Sequence, residues 1–499
     1  MTDSLDMLAG RSATDEIIVE PASGVAHTAA ALRRLGTAFA ARLSGTGKLL
    51  VHLIAERSVE SIAVYLECLR LGHAVLLVDP RLRNDRQVAV RDSFQPDVIV
   101  DTRGVSSLAR PDYSAVAPLG TTTILVRRGG ASSSVPRPVA VLLATSGSVG
   151  GFRLVCLSYA NLASNASAIG QALDLRPNDR GALCLPLAFS YGLSVLNSHL
   201  TSGGSVAVMN TAPTSLAFWP LFEAAGCTTF AGVPETYRIL DAIGHRLADH
   251  PTLRLATQAG SRMSEPLVVR TATGLVEAGK DFAVMYGQTE ATARIACQCG
   301  SDVLRSPRSV GTVIPGSRLW TVRPDGSPQG DDEPGEIVLA GPGVMLGYAY
   351  SRNDLSTVPH EPSPNLRTGD LGYLSDGRLH IVGRLGRLAK PFGVRVQLDD
   401  VEADFTAVGP AAVVTGDDET IVVYVEGSPA TYRTAYRTIL ASYALPPSVV
   451  RVVPVDRIPR TISGKIAYSQ LPDVNQITDR TVEESQWPRS APRTSNSSS

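Results

Sequence analysis

Residues 49–80 read LLVHLIAERSVESIAVYLECLRLGHAVLLVDP, and their reading decides the fold. Leu49–Ile54 is a short β-type run, Val59–Leu71 carries apolar residues at helical spacing, and Ala74–Val78 is an apolar run closed by Asp79-Pro80. Apolar runs this short, separated by a helical pattern, read as buried strands. Upstream, Ala29–Leu43 again shows helical spacing; downstream, Pro96–Val100 repeats the strand pattern. Strands alternating with helices imply a mostly parallel, doubly wound sheet.

The alternation continues through Val139–Ala144 as a strand, Ala160–Leu173 as a helix and Gly204–Met209 as a strand. From Gly335 to about Leu385 the texture changes to short strands with frequent glycine, Glu336–Ala340 and Leu379–Val382, which predicts a β-rich subdomain. After Gly386 a small α/β segment offers Ala411–Val414, Ile421–Val425 and Val450–Val453 as strands. A boundary near Arg384–Gly386 divides the chain into a large segment, 1–384, and a small one, 385–476. Residues 477–499 form a tail; from Glu484 it is rich in Ser, Pro, Arg and Thr and is expected to be disordered. No internal repeat is visible.

Bulk properties narrow the function. At 499 residues the chain is long enough for two or three domains. A formal charge of −1 argues against a nucleic-acid scaffold, though a local cluster can still bind phosphate. Cys68, Cys156, Cys184, Cys227, Cys297 and Cys299 lie scattered through apolar stretches with no C-x-x-C pair, so they read as reduced core thiols. Met1–Gly10 lacks the pattern of a signal peptide, and no apolar run approaches the length of a membrane span. The expectation is a soluble, cytoplasmic protein.

Four strings carry chemistry. The first is Ala144-Thr145-Ser146-Gly147-Ser148-Val149-Gly150-Gly151-Phe152-Arg153, which follows an apolar strand; small hydroxyl residues and glycines let backbone N–H groups close on a phosphate. The second is Met285-Tyr286-Gly287-Gln288-Thr289-Glu290. The third is Arg367-Thr368-Gly369-Asp370, with Gly383-Arg384 downstream. The fourth is Ile458-Pro459-Arg460-Thr461-Ile462-Ser463-Gly464-Lys465-Ile466. A further glycine-lysine string, Gly45-Thr46-Gly47-Lys48, lacks the other residues of a P-loop and reads as a plain turn.

In this order the four strings resemble the ANL superfamily of adenylating enzymes: acyl-CoA synthetases, peptide-synthetase adenylation domains and luciferases. The resemblance runs from about Leu49 to Leu471, with Gly72–Pro80, Leu185-Pro186-Leu187, Gly232-Val233-Pro234, Gly335-Glu336-Ile337 and Gly347-Tyr348 as agreeing signposts. It implies an α/β fold: a large N-terminal adenylating domain of doubly wound sheets with a β-rich subdomain, and a small mobile C-terminal α+β lid. It also implies that ATP and magnesium are used to turn a carboxylic acid into an acyl-AMP, with pyrophosphate released. The acyl group would then pass to the thiol of CoA or of a carrier-protein phosphopantetheine.

The resemblance assigns roles as well. Lys465 would bridge the carboxylate and the α-phosphate, with Arg153 and Thr289 as further phosphate contacts. Glu290 would be the magnesium ligand, one carboxylate beside phosphate oxygens. Thr145, Ser146, Gly147, Ser148 and Gly150 would meet the pyrophosphate. Tyr286 would stack on adenine beside Ala259, Gly260 and Gly287. Asp370 would accept from both ribose hydroxyls, with Arg384 adding a ribose or phosphate contact. Phe189, Ser190, Gly232, Val233 and Ser261 would line the acid. Once adenylation is complete, the lid would rotate, bringing the segment of Lys390, Gly393 and Arg395 toward the site.

The chain also departs from the family's pattern. In the phosphate loop, Val149 replaces a threonine, Phe152 a proline, Arg153 a lysine and Leu154 a glycine; Tyr159 stands where histidine is usual. Phe189 occupies a position that is often histidine. Peptide-synthetase domains place an aspartate nearby to hold an α-amino group, and its absence disfavours an α-amino acid. Ser261 stands where glycine is common, which favours a compact acid over a long fatty acid. Gly386 sits at the hinge, where Asp or Lys is usual. These departures leave room for the same adenylating chemistry with another partner, an amine acceptor or nitrite in place of the carboxylate. A non-catalytic nucleotide binder is a third reading, against which stands the joint retention of Glu290, Asp370 and Lys465.

Overall fold

A computed structural model describes residues 3–43, 47–104, 108, 110–129, 135–144, 153–389, 391, 396–406, 408–416, 420–442, 445–461 and 465–472. It divides into two compact units. The larger takes the described residues of Met1–Thr368, Tyr373–Ile381 and Ile462–Lys465. The smaller takes those of Gly369–Gly372, Val382–Thr461 and Ile466–Ser499.

The strand–helix–strand unit of residues 49–80 supplies the two central strands of a sheet in the larger unit. Strands Leu50–Ile54 and Ala74–Val78 pair in parallel, and all ten of their residues are buried. Helix Val59–Leu71 between them starts on Ser58, whose hydroxyl accepts from the Ser61 amide. The helix ends on Gly72 at φ 77°, where a side chain would be strained and a Cβ would press on the Asp3 carbonyl. These strands belong to an eight-stranded sheet in the order Gly347–Ala349, Leu154–Ser158, Val139–Ala144, Ala74–Val78, Leu50–Ile54, Val98–Asp101, Thr123–Arg127, Tyr113–Ala115. A nine-stranded sheet runs Thr312–Val313, Ala296–Cys299, Asp281–Tyr286, Leu255–Gln258, Thr229–Gly232, Arg180–Leu183, Ser205–Val208, Glu16–Glu20, Val25–Thr28.

Both sheets are parallel at their centres and antiparallel at their edges, so the mostly parallel expectation holds for the interior strands alone. One hydrophobic core links the two sheets through helices Val59–Leu71, Tyr159–Ala172 and Ser190–Thr201. The glycine-rich region forms a four-stranded sheet, Arg318–Val322, Gly335–Ala340, Leu366–Ser375 and Arg378–Arg384.

In the smaller unit, strands Ala411–Thr415, Ile421–Glu426 and Val450–Val455 form a sheet that packs with helices Leu398–Thr406 and Arg433–Ser442 around Val401, Phe405, Val423 and Ile439. Gly386 is exposed, and a Cβ on it would meet nothing within 4 Å. The next residue, Arg387, is tied down: it pairs with Asp399 and with Glu402 at 2.9 Å, donates to the Val413 carbonyl at 2.9 Å and lies 4.3 Å from the Tyr468 ring centre.

All six cysteines are free. Cys68, Cys156, Cys184 and Cys227 are buried as expected of core thiols, but Cys297 and Cys299 are half-buried on an antiparallel strand near the sheet edge. Among the described residues no helix is long and apolar enough to cross a membrane.

Candidate functional site

Strand Asp281–Tyr286 runs into a tight turn that places Thr289, Glu290 and Arg294 within a few residues. The turn folds back on itself: the Ile295 amide donates to the Tyr286 carbonyl at 2.8 Å, and Ala293 donates to Ala291 at 2.8 Å. Gly287 has backbone on its open side, with the Ala293 carbonyl oxygen only 1.8 Å from where a Cβ would stand. Tyr286 is half-buried, its ring packing against the cluster of Ala291, Ile295 and Leu339.

Glu290 is the centre of the polar geometry. Its Oε1 accepts from the Tyr348 hydroxyl at 3.0 Å and lies 3.9 Å from Arg153 Nη2. The Arg153 guanidinium stacks on the Tyr348 ring at 4.4 Å. Burial, and then the Glu290 carboxylate, push the Tyr348 phenol well up, so it stays a proton donor to Glu290. The carboxylate is thus held without being neutralised by a close ion pair. Arg153 remains 39% exposed, so its charge is open to a ligand. Among the described residues no group of three or more His, Cys, Asp or Glu could hold a metal by itself. One held carboxylate suits magnesium, which keeps waters and phosphate oxygens for its other positions.

Thr289 donates from Oγ1 to Ser190 Oγ at 3.3 Å, which joins the turn to the start of helix Ser190–Thr201. A Cβ on Gly260 would contact Val233 Cγ1 at 3.5 Å and Phe189 Cζ at 3.6 Å, so Phe189, Val233 and Gly260 face one another. Gly232 makes room for the rings of Tyr237 and Phe230. Ala259 is buried, while Ser261 is exposed and accepts through its carbonyl from Gln258 Nε2 at 2.8 Å. In the smaller unit, Asp370 is buried and pairs with Arg384 at 2.8 Å; the exposed guanidinium covers one carboxylate oxygen. Arg460 and Ile466 form a β-bridge, and Lys465, which falls with the larger unit, is half-buried.

Thr145, Ser146, Gly147, Ser148 and Gly150, with Val149 and Phe152, lie outside the described residues, as do Lys390, Gly393 and Arg395. The larger unit brings together Arg153, Thr289, Glu290, Phe189, Ser190, Val233 and Gly260. Two participants had no role in the sequence reading. Tyr348 stood there only as a signpost, and its distance from Glu290 in sequence hid the contact. Arg294 is a basic residue four positions past Glu290 in a run of small ones, and its place in that run was the available signal.

A family model described as AMP-binding enzyme matches residues 9–349. The chain is 27% identical over 463 residues to PKS-NRPS hybrid synthetase acdB of Aspergillus candidus, covering 85% of this chain and 18% of that protein. It is 29% identical over 392 residues to the L-proline--[L-prolyl-carrier protein] ligase of Pseudomonas fluorescens, covering 73% of this chain and 75% of that one. The chain spans 18% and 24% of the length of the two hybrid synthetases it matches, so it corresponds to one part of such proteins. Among solved structures, o-succinylbenzoate CoA synthetase from Bacillus subtilis, in complex with its acyl-adenylate intermediate, superposes with a TM-score of 0.76 at 20% identity, covering 94% of this chain and 98% of that one. ATP-bound MatB from Rhodopseudomonas palustris gives 0.73 at 22% identity, with the same coverage. At these identities the structural likeness shows the fold.

Proposed function

We propose, from the premise that this chain belongs to the AMP-binding enzyme family and is an adenylating enzyme of the ANL superfamily, that it activates a carboxylic acid as acyl-AMP and passes the acyl group to a thiol. The observation that carries this reading is Glu290, a single carboxylate held by Tyr348 with Arg153 beside it and Thr289 preceding it.

A carboxylate oxygen is a poor leaving group. Attack on the α-phosphate of ATP replaces it with AMP, and two anions must meet for that attack. Lys465 neutralises carboxylate and phosphate oxygens, Arg153 the pyrophosphate, and Thr289 donates to the α-phosphate. Asp370, and with it Arg384, holds the ribose. Magnesium, held by Glu290, would offset phosphate charge when bound. Thr145, Ser146, Gly147, Ser148 and Gly150 meet the pyrophosphate. Residues 385–476 act as the lid between the two half-reactions. The thiol is that of CoA or of a carrier-protein phosphopantetheine; relatives named as synthetases and as a carrier-protein ligase support the carrier. Amino acids belong among the acids tested because relatives bear such names, but Phe189 and Ser190 offer no carboxylate to an ammonium group. The protein works in the cytoplasm.

Pyrophosphate release across a panel of acids, with CoA or a phosphopantetheinylated carrier added in turn, tests the reading. The expected result is acid-dependent release and a thioester product. Release with nitrite alone, or product with an amine alone, would transfer the chain to the alternative partner. ATP binding without turnover on any acid would end the catalytic reading. A Glu290→Gln variant keeps an acceptor for Tyr348 but loses the charge. Its turnover is expected to fall on the order of a hundredfold and its magnesium requirement to rise. A magnesium titration superimposable on that of the wild type would remove the metal role.

A further inference from the structure

Arg294 is buried, 4% exposed, and has no carboxylate partner among the described residues. Its guanidinium lies 4.1 Å above the Tyr191 ring; Nε meets the Met285 thioether at 3.3 Å, and Nη1 reaches the Ala293 carbonyl at 3.4 Å. A guanidinium has five N–H donors and keeps its charge in a protein. Here one donor faces a weak sulfur acceptor and another a long carbonyl contact. Burying a cation in this state costs free energy that a cation–π contact offsets only in part. Asn165 fixes the backbone of Arg294, accepting from its amide at 3.4 Å and donating to its carbonyl at 3.1 Å, so the position is held.

Arg294 lines a small cavity with Tyr191, Ser194, His199, Thr229 and Thr257. No acidic residue lines it. The other polar groups are already engaged: Tyr191 with Thr257 at 2.7 Å, Ser194 with the Tyr191 carbonyl at 2.7 Å, and His199 with the Val195 carbonyl and Thr229, each at 2.8 Å. Burial pushes the His199 pKa down, which leaves the imidazole neutral. Arg294 is therefore the one cation of the wall, with donors to spare. The segments that form this wall also form the reacting end, since Ser190 and Thr289 touch one residue before Tyr191 and five before Arg294.

We infer that Arg294 receives a second carboxylate on the substrate, so that the acid is a short dicarboxylic acid without an α-ammonium group. A carboxylate meets a guanidinium through two parallel charge-assisted hydrogen bonds and cancels the buried charge. This inference rests on the proposed adenylation and adds the class of acid to it.

The test compares succinate and glutarate with butyrate, valerate and monomethyl succinate, with aspartate and glutamate added. Pyrophosphate release and the melting shift caused by acid alone are both read. For the wild type, kcat/KM for a diacid is expected to exceed that of the mono-acid of equal length by at least about a hundredfold, since a site built for a polar group rejects the analogue lacking it. Arg294→Met should compress the ratio to within tenfold, and Arg294→Lys should keep part of it. A wild-type ratio near one, or a ratio unchanged in Arg294→Met, overturns the inference; should either variant fail to fold, the wild-type ratio decides. If diacids raise the melting temperature of the wild type and not of Arg294→Met, yet no acid releases pyrophosphate, the pocket stands and the adenylation reading falls. If diacids neither react nor shift the melt, the pocket assignment falls.

Discussion

Lys465→Ala is expected to lower acid-dependent pyrophosphate release by on the order of a thousandfold, while a supplied acyl-AMP is still converted to thioester. The first half of this expectation comes from charge. The carboxylate and the α-phosphate repel each other, and a cation that touches oxygens of both favours their approach most in the transition state, where charge is shared between them. The second half comes from the chemistry of the product: the acyl-adenylate already has its leaving group, so attack by a thiol no longer brings two anions together. Around this position Arg460 and Ile466 form a β-bridge, and the Ala467 amide donates to the Pro459 carbonyl at 2.8 Å. Lys465→Arg keeps charge but exchanges a compact ammonium for a planar fork, and should recover only part of the rate. Steady-state pyrophosphate release and single-turnover thioester formation separate the halves. Adenylation at the wild-type rate in Lys465→Ala would remove the assigned role, and loss of both halves would point to damage beyond it.

The fold was legible where a single period ran undisturbed. Leu50–Ile54, Val59–Leu71 and Ala74–Val78 lie within a residue of the sequence reading because every strand position is buried and the helix buries ten side chains. The edges were not legible. Val25–Thr28 is exposed or half-exposed along its length, and Tyr113–Ala115 is too short to show alternation. Leu366–Ser375 is a ten-residue strand whose sequence, LRTGDLGYLS, was read as a motif and not as a strand; its two glycines and buried Asp370 mask the alternation.

The site follows the same division. Glu290 and Thr289 stood out because a local string carries them. Tyr348 could not be joined to Glu290, since their contact arises where strand Gly347–Ala349 pairs with Leu154–Ser158, and that pairing brings Tyr348 beside the chain leading to Arg153. Arg294, marked only by its place in a run of small residues, is missed for a different reason. An arginine in a sequence reads as a surface residue by default, and only the burial of its neighbours shows that this one has left water.

Gly287→Ala is expected to cost about 3 kcal/mol of stability and to remove most activity, although alanine is among the mildest of substitutions. The added Cβ would stand 1.8 Å from the Ala293 carbonyl oxygen and 2.8 Å from both the Ala293 carbonyl carbon and Arg294 Cα. All three are backbone atoms, so no rotamer change relieves the clash and the turn itself must open. That turn is already constrained, with Thr292 at φ 67°, a conformation that side-chain-bearing residues seldom adopt. Opening it displaces Thr289, Glu290 and Arg294 together, so magnesium dependence and acid preference should deteriorate in the same variant. Gly274 provides the control. It lies inside helix Glu265–Glu277, and a Cβ there would meet nothing within 4 Å. Gly274→Ala is therefore expected to raise stability by about 0.5–1 kcal/mol through helix propensity, with turnover unchanged. Chemical denaturation of the two variants beside the wild type decides the matter. If Gly287→Ala unfolds at the wild-type midpoint and keeps its turnover, the turn is not closed as described, and the shared scaffold argued for Glu290 and Arg294 goes with it.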